Sequence, residues 1–424
     1  QAHEEGLAHF IEHSIFKGTE KRRAFHILSR LDSVGGELNA YTAKEEIVIY
    51  GSFTNAYLQR AIELVSDITF HSTFPEKELE KEKEVVLDEL NSYLDSPGER
   101  IFDDFEAHLF KGHALGGNIL GTEQSVRSFT KEHLQAYISR FFTVKNMVVS
   151  YVGSESLKKV KYLVEKYFSN ENAAAVSHEL EIFQPNPTFK RKESFGNYQT
   201  HAITGGLAPG YNEVSRRGMT LLTNILGGPA LNSRLTLSIR EKHGYSYSVE
   251  ANYTPYVDTG FWSIYLGTDS KYLEKSLKLV QKELRLLREK KLSVLQLNRA
   301  KEQLKGQIAL SLEGNSGLML GLGKSLLLFD QIDTITDIYN EIDSITAEDL
   351  ITIANEFFSD AKLKNILATY WLYLGVSPNM LPFADLATML YAYAAILEGV
   401  PFANGSPNLA VDAPVLRQLA TERG

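Results

Sequence analysis

The feature that most constrains the fold of this 424-residue chain is an internal repeat with an offset of 215 positions. Segments 54–65 and 268–280 resemble each other, and both place apolar residues at helical spacing. Each follows an alternating pattern typical of a strand, at residues 47–53 and 261–266. Two copies of one strand–helix unit predict two halves with the same architecture.

A second feature is the H-x-x-E-H sequence at residues 9–13. On a helix, His9 and His13 lie one turn apart on the same face, with Glu12 beside them. Two imidazoles in this arrangement can bind one metal ion while a carboxylate reaches a water bound to it. The order is the inverse of the commoner H-E-x-x-H motif of zinc proteases. The alternative is a surface helix that happens to carry two histidines.

A third ligand is predicted on a helix that begins at Pro75 and ends near Asp95. Glu82 and Glu89 are two turns apart and fall on the apolar stripe of this helix. A carboxylate in such a position is costly unless it is paired or binds a metal. Glu89 as a metal ligand, with Glu82 supporting a ligand from behind, resolves both costs. Without the histidine pair, both would be interpreted as charges at the edge of a helix.

These residues resemble the pitrilysin/insulinase family of zinc peptidases, which includes the mitochondrial processing peptidase and its bacterial relatives. Glu89 follows His13 by 76 positions, and further matches extend over residues 4–367. The matching segments are 16–19, 35–42, 96–99, 112–116 and 119–122. The resemblance implies two related α+β domains, each a mostly antiparallel sheet packed with helices.

The chemistry that the resemblance implies is that of a zinc-dependent endopeptidase acting on peptides or unfolded polypeptide segments. His9, His13 and Glu89 would hold Zn²⁺, a water would fill the fourth position, and Glu12 would act as general base. The alternative is a non-catalytic structural or partner subunit of the same family. Such subunits usually lack a ligand or the glutamate base, and this chain has all four residues.

The second copy of the repeat lacks the ligands. The positions equivalent to His9, Glu12, His13 and Glu89 carry, in that order, Asn224, Gly227, Gly228 and Leu304. The whole metal site is therefore expected in the first half of the chain.

Two groups of substrate-binding residues follow from the resemblance. Arg240 and Tyr247, seven residues apart, resemble a family pair that binds the substrate backbone and stabilises the oxyanion from the half without ligands. The alternative for both is a purely structural role. Asn39, Ala40 and Tyr41 begin a strand that in this family accepts the substrate as an added β-strand.

Composition limits the kinds of binding partner and the cellular compartment that can be expected. The net charge of −9 argues against a nucleic-acid partner, and no apolar run is long enough to span a membrane. The absence of cysteine excludes disulfides and thiolate ligands. We expect a soluble, preferentially cytoplasmic protein, although the abrupt start at Gln1 leaves a removed targeting segment open. By resemblance, it would form a homodimer, or a heterodimer with a related chain.

Three regions are predicted. A zinc-bearing peptidase domain is expected at residues 1–184 and a ligand-less repeat domain with the Arg/Tyr pair at 190–368, joined near 185–187. Residues 369–424 contain no lysine and are interpreted as a foreign, inactive fragment with helices at 384–398 and 413–423. Within it, 398–408 faintly resembles NAD-dependent inositol-phosphate synthases, without their glycine-rich loop.

Overall fold

The computed structural model describes residues 4–169, 171, 183, 189–195, 199–358 and 368–374. Helices form most of the described chain, and the strands belong to one two-stranded and one five-stranded sheet. Within the described chain, the strands with an assigned register pair in antiparallel fashion. The predicted α+β class is confirmed.

The first half of the chain is built from one hairpin and a set of helices. The strands are β1 (Glu37–Thr42) and β2 (Ile47–Ser52). The helices are α1 (Leu7–Ser14), α2 (Ala24–Asp32), α3 (Leu58–Phe70), α4 (Glu76–Asp95), α5 (Pro97–Leu109), α6 (Glu123–Ser128), α7 (Lys131–Phe141) and α8 (Leu157–Phe168). Helix α4 and strand β2 correspond closely to the helix and strand predicted at 75–95 and 47–53.

Packing between α1 and α4 positions the predicted ligands. Phe10 and Ile11 of α1 and Val86 of α4 are completely buried in one core. Full burial of each such side chain contributes about 1.5–3 kcal/mol. Pro75 caps the start of α4 with extended backbone, and acidic Glu76 in the first turn favours the positive end of the helix dipole. The buried faces therefore hold the two helices side by side at the histidine pair.

The second half contains the larger sheet. Its strands are β3 (Lys190–Phe195), β4 (Thr200–Ala208), β5 (Ser246–Pro255), β6 (Gly260–Thr268) and β7 (Ala368–Leu374), in the order β3-β7-β4-β6-β5. Its helices are α9 (Arg216–Gly227), α10 (Ser270–Glu289), α11 (Val294–Leu312), α12 (Asn315–Phe329), α13 (Ile335–Ser344) and α14 (Ala347–Phe357). A π-helical segment, Thr236–Glu241, precedes β5.

The predicted repeat is present in the order of the elements. A shift of 215 positions maps the β1–β2 hairpin onto β5–β6 and maps α3, α4 and α5 onto α10, α11 and α12. The helix that corresponds to α1 is α9. In α11, Leu304 is buried in the apolar core, at the position equivalent to Glu89. The second half therefore has an apolar contact where the first half has a carboxylate.

Several predicted features lie at or beyond the limits of the described residues. The junction near 185–187 and the helices at 384–398 and 413–423 fall outside them. Strand β7 continues to Leu374, six residues past the predicted domain end at 368. Across the described residues, no helix combines the length and the apolar character needed to cross a bilayer.

Candidate metal centre

Three side chains from α1 and α4 converge on one point. Glu89 Oε2 lies 3.7 Å from His9 Nε2 and 3.4 Å from His13 Nε2. The centroids of the two imidazole rings are 4.6 Å apart. Each of the three residues offers one ligand atom, and these atoms lie within 4.8 Å of one another. In the described part of the chain, no other group of His, Cys, Asp and Glu side chains is arranged in this way.

The geometry of this cluster fits a zinc ion. Tetrahedral zinc with bonds of about 2.0–2.1 Å keeps its ligands about 3.3 Å apart, close to the distances observed here. Burial, reinforced by the neighbouring His13, lowers the pKa of His9 to about 4. His9 is therefore neutral at pH 7, so its approach to Glu89 is not an ion pair. A neutral imidazole beside a carboxylate is the donor set that a zinc site requires.

Glu82 supports the cluster from behind. Its Oε2 lies 3.3 Å from His13 Nδ1, and its Oε1 lies 2.6 Å from Lys17 Nζ. The Glu82 side chain is only 9% exposed, so the lysine compensates a carboxylate that would otherwise be buried without a cation. A proton on His13 Nδ1 directed at Glu82 leaves Nε2 free to face Glu89. Lys17 was not predicted as a site residue, although it lies in the family-like segment 16–19.

Glu12 has a partner that the sequence did not predict. The hydroxyl of Thr42, in strand β1, donates to Glu12 Oε2 at 2.6 Å. Glu12 is half-buried on the same helix as His9 and His13. Strand β1 thus holds one carboxylate oxygen of Glu12. In the sequence, Thr42 is marked only by its position directly after residues 39–41, which were predicted to begin a strand.

The predicted substrate strand has an open edge. Strand β1 pairs with β2 alone in the two-stranded sheet of the described chain. Asn39 is exposed, and its side-chain oxygen accepts from the backbone N–H of Ala40 at 3.2 Å. Burial, together with the nearby Glu46 carboxylate, raises the pKa of Tyr41 to about 12. Tyr41 is therefore a neutral hydrogen-bonding group at any physiological pH.

Arg240 and Tyr247 lie together in the second half. Arg240 is near the end of the π-helical segment, and its guanidinium carbon is 5.8 Å from the centroid of the Tyr247 ring. Its Nε also lies 3.5 Å from a carboxylate oxygen of Glu241. The Tyr247 side chain is 68% exposed, which leaves it little packing role. Within the described chain, the contacts of Arg240 with Tyr247 and Glu241 lie in the second half and do not reach the His9 cluster.

The fold and the site define the class of protein: an α+β chain with an internal repeat, in which the H-x-x-E-H helix and the acidic residue Glu89 lie together as in inverse-motif zinc peptidases. The family model described as "Insulinase (Peptidase family M16)" matches residues 1–123. The model described as "Peptidase M16 inactive domain" matches residues 128–304, most of which lie in the half without ligands. The chain belongs to peptidase family M16.

Individual relatives agree with this assignment. The chain is 34% identical over 359 residues to a Bacillus subtilis protein named "Uncharacterized zinc protease YmxG", covering 84% of this chain and 86% of the relative. It is 32% identical over 365 residues to a protein of Rickettsia felis named "Uncharacterized zinc protease", covering 86% and 88%.

Solved structures share the fold at low identity. A protease from Helicobacter pylori superimposes with a TM-score of 0.79 at 20% identity, covering 88% of this chain and 89% of that one. The "peptidase M16 inactive domain from Pseudomonas fluorescens" gives a TM-score of 0.79 at 19% identity, with the same coverage.

The C-terminal region matches a different family. The model described as "Myo-inositol-1-phosphate synthase" matches residues 385–424. This range includes 398–408, where the sequence suggested that resemblance. The similarity to M16 peptidases therefore does not explain the last part of the chain.

Proposed function

We propose that this protein is a zinc-dependent endopeptidase that hydrolyses peptides or unfolded polypeptide segments. The observation that carries the proposal is the convergence of His9, His13 and Glu89 on one point, with Glu12 on the same helix as the two histidines. These four side chains supply three metal ligands and one base, which is the complete protein component of a catalytic zinc site.

Each residue has a defined role in this proposal. His9, His13 and Glu89 would hold the zinc ion, which when bound polarises the scissile carbonyl and makes water acidic enough to attack near neutral pH. Glu12 takes the proton from the attacking water on its free oxygen and returns it to the leaving amine. Thr42 orients this base through its hydrogen bond to Glu12 Oε2.

The substrate would bind as an extended strand. The open edge of β1 offers backbone groups at residues 39–41, and pairing of this kind imposes little sequence preference. An extended conformation favours peptides and unfolded segments over folded proteins. Arg240 and Tyr247 are proposed to bind the substrate backbone and the oxyanion from the opposite face of a chamber formed with a partner chain.

A non-catalytic partner subunit is the second candidate function. The observation that favours it is the match of residues 128–304 to a domain described as inactive. That match begins after the motif and Glu89, so it leaves the proposed catalytic residues outside the inactive domain.

Peptide hydrolysis with matched variants tests the proposal. We expect the purified protein to cleave a quenched fluorescent peptide, to lose activity with a zinc chelator and to regain it with Zn²⁺. Glu12→Gln should keep its zinc and lose turnover by at least about 100-fold, because the amide cannot accept a proton. Glu20→Gln, at an exposed position close in sequence, is the control.

Two results would contradict this assignment. Loss of zinc from Glu12→Gln would show that the ligand set is wrong. A fully zinc-loaded parent protein that cleaves no peptide would favour the non-catalytic subunit.

A further inference from the structure

The two hairpins that are equivalent in the repeat meet at their turns. Residues 43–46 connect β1 to β2, and residues 256–259 connect β5 to β6. The backbone N–H of Val257 donates to Glu45 Oε1 at 3.1 Å. A contact between repeat-equivalent turns joins the metal-binding half of the chain directly to the half without ligands.

Equivalent helices reinforce this contact from both sides. Lys324, on α12 of the second half, lies 2.9 Å from Glu46 Oε1 in the first turn. Glu106, on α5 of the first half, accepts from the Tyr256 hydroxyl of the second turn at 3.0 Å. Because α5 and α12 correspond in the repeat, each half uses the same helix to hold the turn of the other half.

Of these two contacts, the one between Lys324 and Glu46 involves the more deeply buried carboxylate. The Glu46 side chain is 2% exposed, and a carboxylate at that depth needs a cation. The cation comes from a residue 278 positions away in the other half of the chain. The second half thus compensates a charge that is buried in the first half.

The turn at 43–46 is directly connected to the proposed catalytic machinery. It follows Thr42, whose hydroxyl donates to Glu12 Oε2, and Glu46 acts electrostatically on the hydroxyl of Tyr41. Lys44 Nζ adds a hydrogen bond to the backbone oxygen of Gly117 at 2.6 Å. A displacement of this turn would move both the base and the open edge of β1.

We propose that the ligand-less half of the chain positions the catalytic base of the metal-binding half through the turn at residues 43–46. Lys324 and Glu46 are the positioning residues, and they act on Glu12 through Thr42 and strand β1. The role in turnover rests on the proposed peptidase function. The effect on the position of β1 does not depend on it.

The test removes the cation from the second half. Lys324→Met should leave the zinc content unchanged and lower kcat by about 10- to 100-fold, because small displacements of catalytic groups have effects of that size. Hydrogen exchange should become faster at the amides of residues 37–46. Lys324→Arg should restore both values. Lys305→Met, which removes a lysine paired with Asp343 inside the second half, is the matched control.

A second variant tests the same proposal if Lys324→Met does not fold. Glu46→Gln combined with Lys324→Met leaves no uncompensated buried charge and should fold. Because the turn at 43–46 still loses its contact with α12, this variant should show faster hydrogen exchange at 37–46 and a lower kcat than the parent. If the variant that folds shows unchanged hydrogen exchange at the amides of residues 37–46, the proposed positioning is overturned, whatever its activity. Faster exchange with an unchanged kcat in an active parent would overturn the link to Glu12. A parent without zinc-dependent cleavage would contradict the peptidase function instead.

Discussion

Among single residues, His13 makes the contacts that organise the site. Its Nε2 faces Glu89 at 3.4 Å, and its Nδ1 faces Glu82 at 3.3 Å. The two carboxylates are seven residues apart on α4 but differ in exposure, at 37% for Glu89 and 9% for Glu82. These positions support different proposed tasks, with Glu89 as a metal ligand and Glu82 as the partner that orients His13.

Amide substitutions should separate these two tasks. Glu89→Gln should lose most of its zinc together with its activity, because a neutral amide is a poor zinc ligand. Glu82→Gln should weaken metal affinity or activity by about 10–100-fold, as is typical for partners of metal ligands. Metal content and peptide turnover of the purified variants give the comparison. Loss of zinc from Glu82→Gln alone would require the two roles to be exchanged.

The sequence predicted the site residues that share a helix. It did not predict the site residues that come from other parts of the chain. His9, Glu12 and His13 share one helix, and Glu82 and Glu89 share another, so spacing placed each set on one face. The partners of these residues, Thr42 and Lys17, reach them through tertiary contacts that no local pattern encodes.

At the scale of secondary structure, α5 and β4 join the two halves. Gly98 of α5 approaches the ring of His201, which lies in β4. His201 Nδ1 is 2.7 Å from the hydroxyl of Tyr265 in β6, and burial lowers the pKa of His201. Phe102 of α5 packs on the ring of the same tyrosine, with centroids 5.2 Å apart. A half-buried histidine with a lowered pKa at this contact predicts that the junction loses stability in acid.

His201→Gln should change the pH dependence of stability. A histidine with a lowered folded-state pKa contributes stability above its unfolded value of about 6.5 and loses it as the pH falls through the folded value. At pH 8 the variant should be less stable by roughly 1 kcal/mol, the value of one hydrogen bond. Below pH 6.5 the difference should shrink, as measured by denaturant unfolding from pH 8 to 5. A constant difference would contradict the role of His201, and His26→Gln is the exposed control.

Local elements were more predictable than their order in the sheet. Pro75 predicted the start of α4, and alternation predicted β2 and β6. The placement of β7 inside the sheet, between β3 and β4, depends on a segment more than 150 residues later in the chain than either neighbour. Only tertiary packing determines such a placement.

For the whole molecule, β7 is the last strand of the described chain, and it pairs with the sheet of the second half. Thr369 pairs with Thr204 and Leu372 pairs with His201 in an antiparallel ladder with β4. A truncation that keeps all of β7 must therefore come after Leu374, six residues beyond the domain end predicted at 368. The residues beyond it include the match to inositol-phosphate synthases.

Deletion after Leu374 should leave peptide turnover essentially intact, because every proposed catalytic residue precedes it. Deletion after Lys364 also removes β7, which takes a hydrogen-bonding partner from β4. It should therefore lower the midpoint of thermal unfolding or abolish folding. Turnover and thermal unfolding of the two truncated proteins make the comparison. If both truncated proteins lose turnover and thermal stability to the same extent, the tail is part of the domain.

The proposed dimer can be tested by mixing two defective proteins. If Arg240 and Tyr247 act on substrate held at the zinc of a partner, Glu12→Gln and Tyr247→Phe should each be impaired alone. After subunit exchange, the mixed dimer has an intact Glu12 on one face of the chamber and an intact Tyr247 on the opposite face, so activity should rise well above either parent. Exchange verified by mass without recovered activity would indicate action within one chain or a structural role.

The central claim is that His9, His13 and Glu89 bind zinc, and anomalous scattering at the zinc absorption edge tests it most directly. Crystals of the protein purified with Zn²⁺ should show about one zinc per chain. The peak should lie within about 2.0–2.1 Å of both Nε2 atoms and within about 2.2 Å of a Glu89 oxygen. A zinc-loaded protein whose only anomalous peak lies away from these three side chains would contradict the claim.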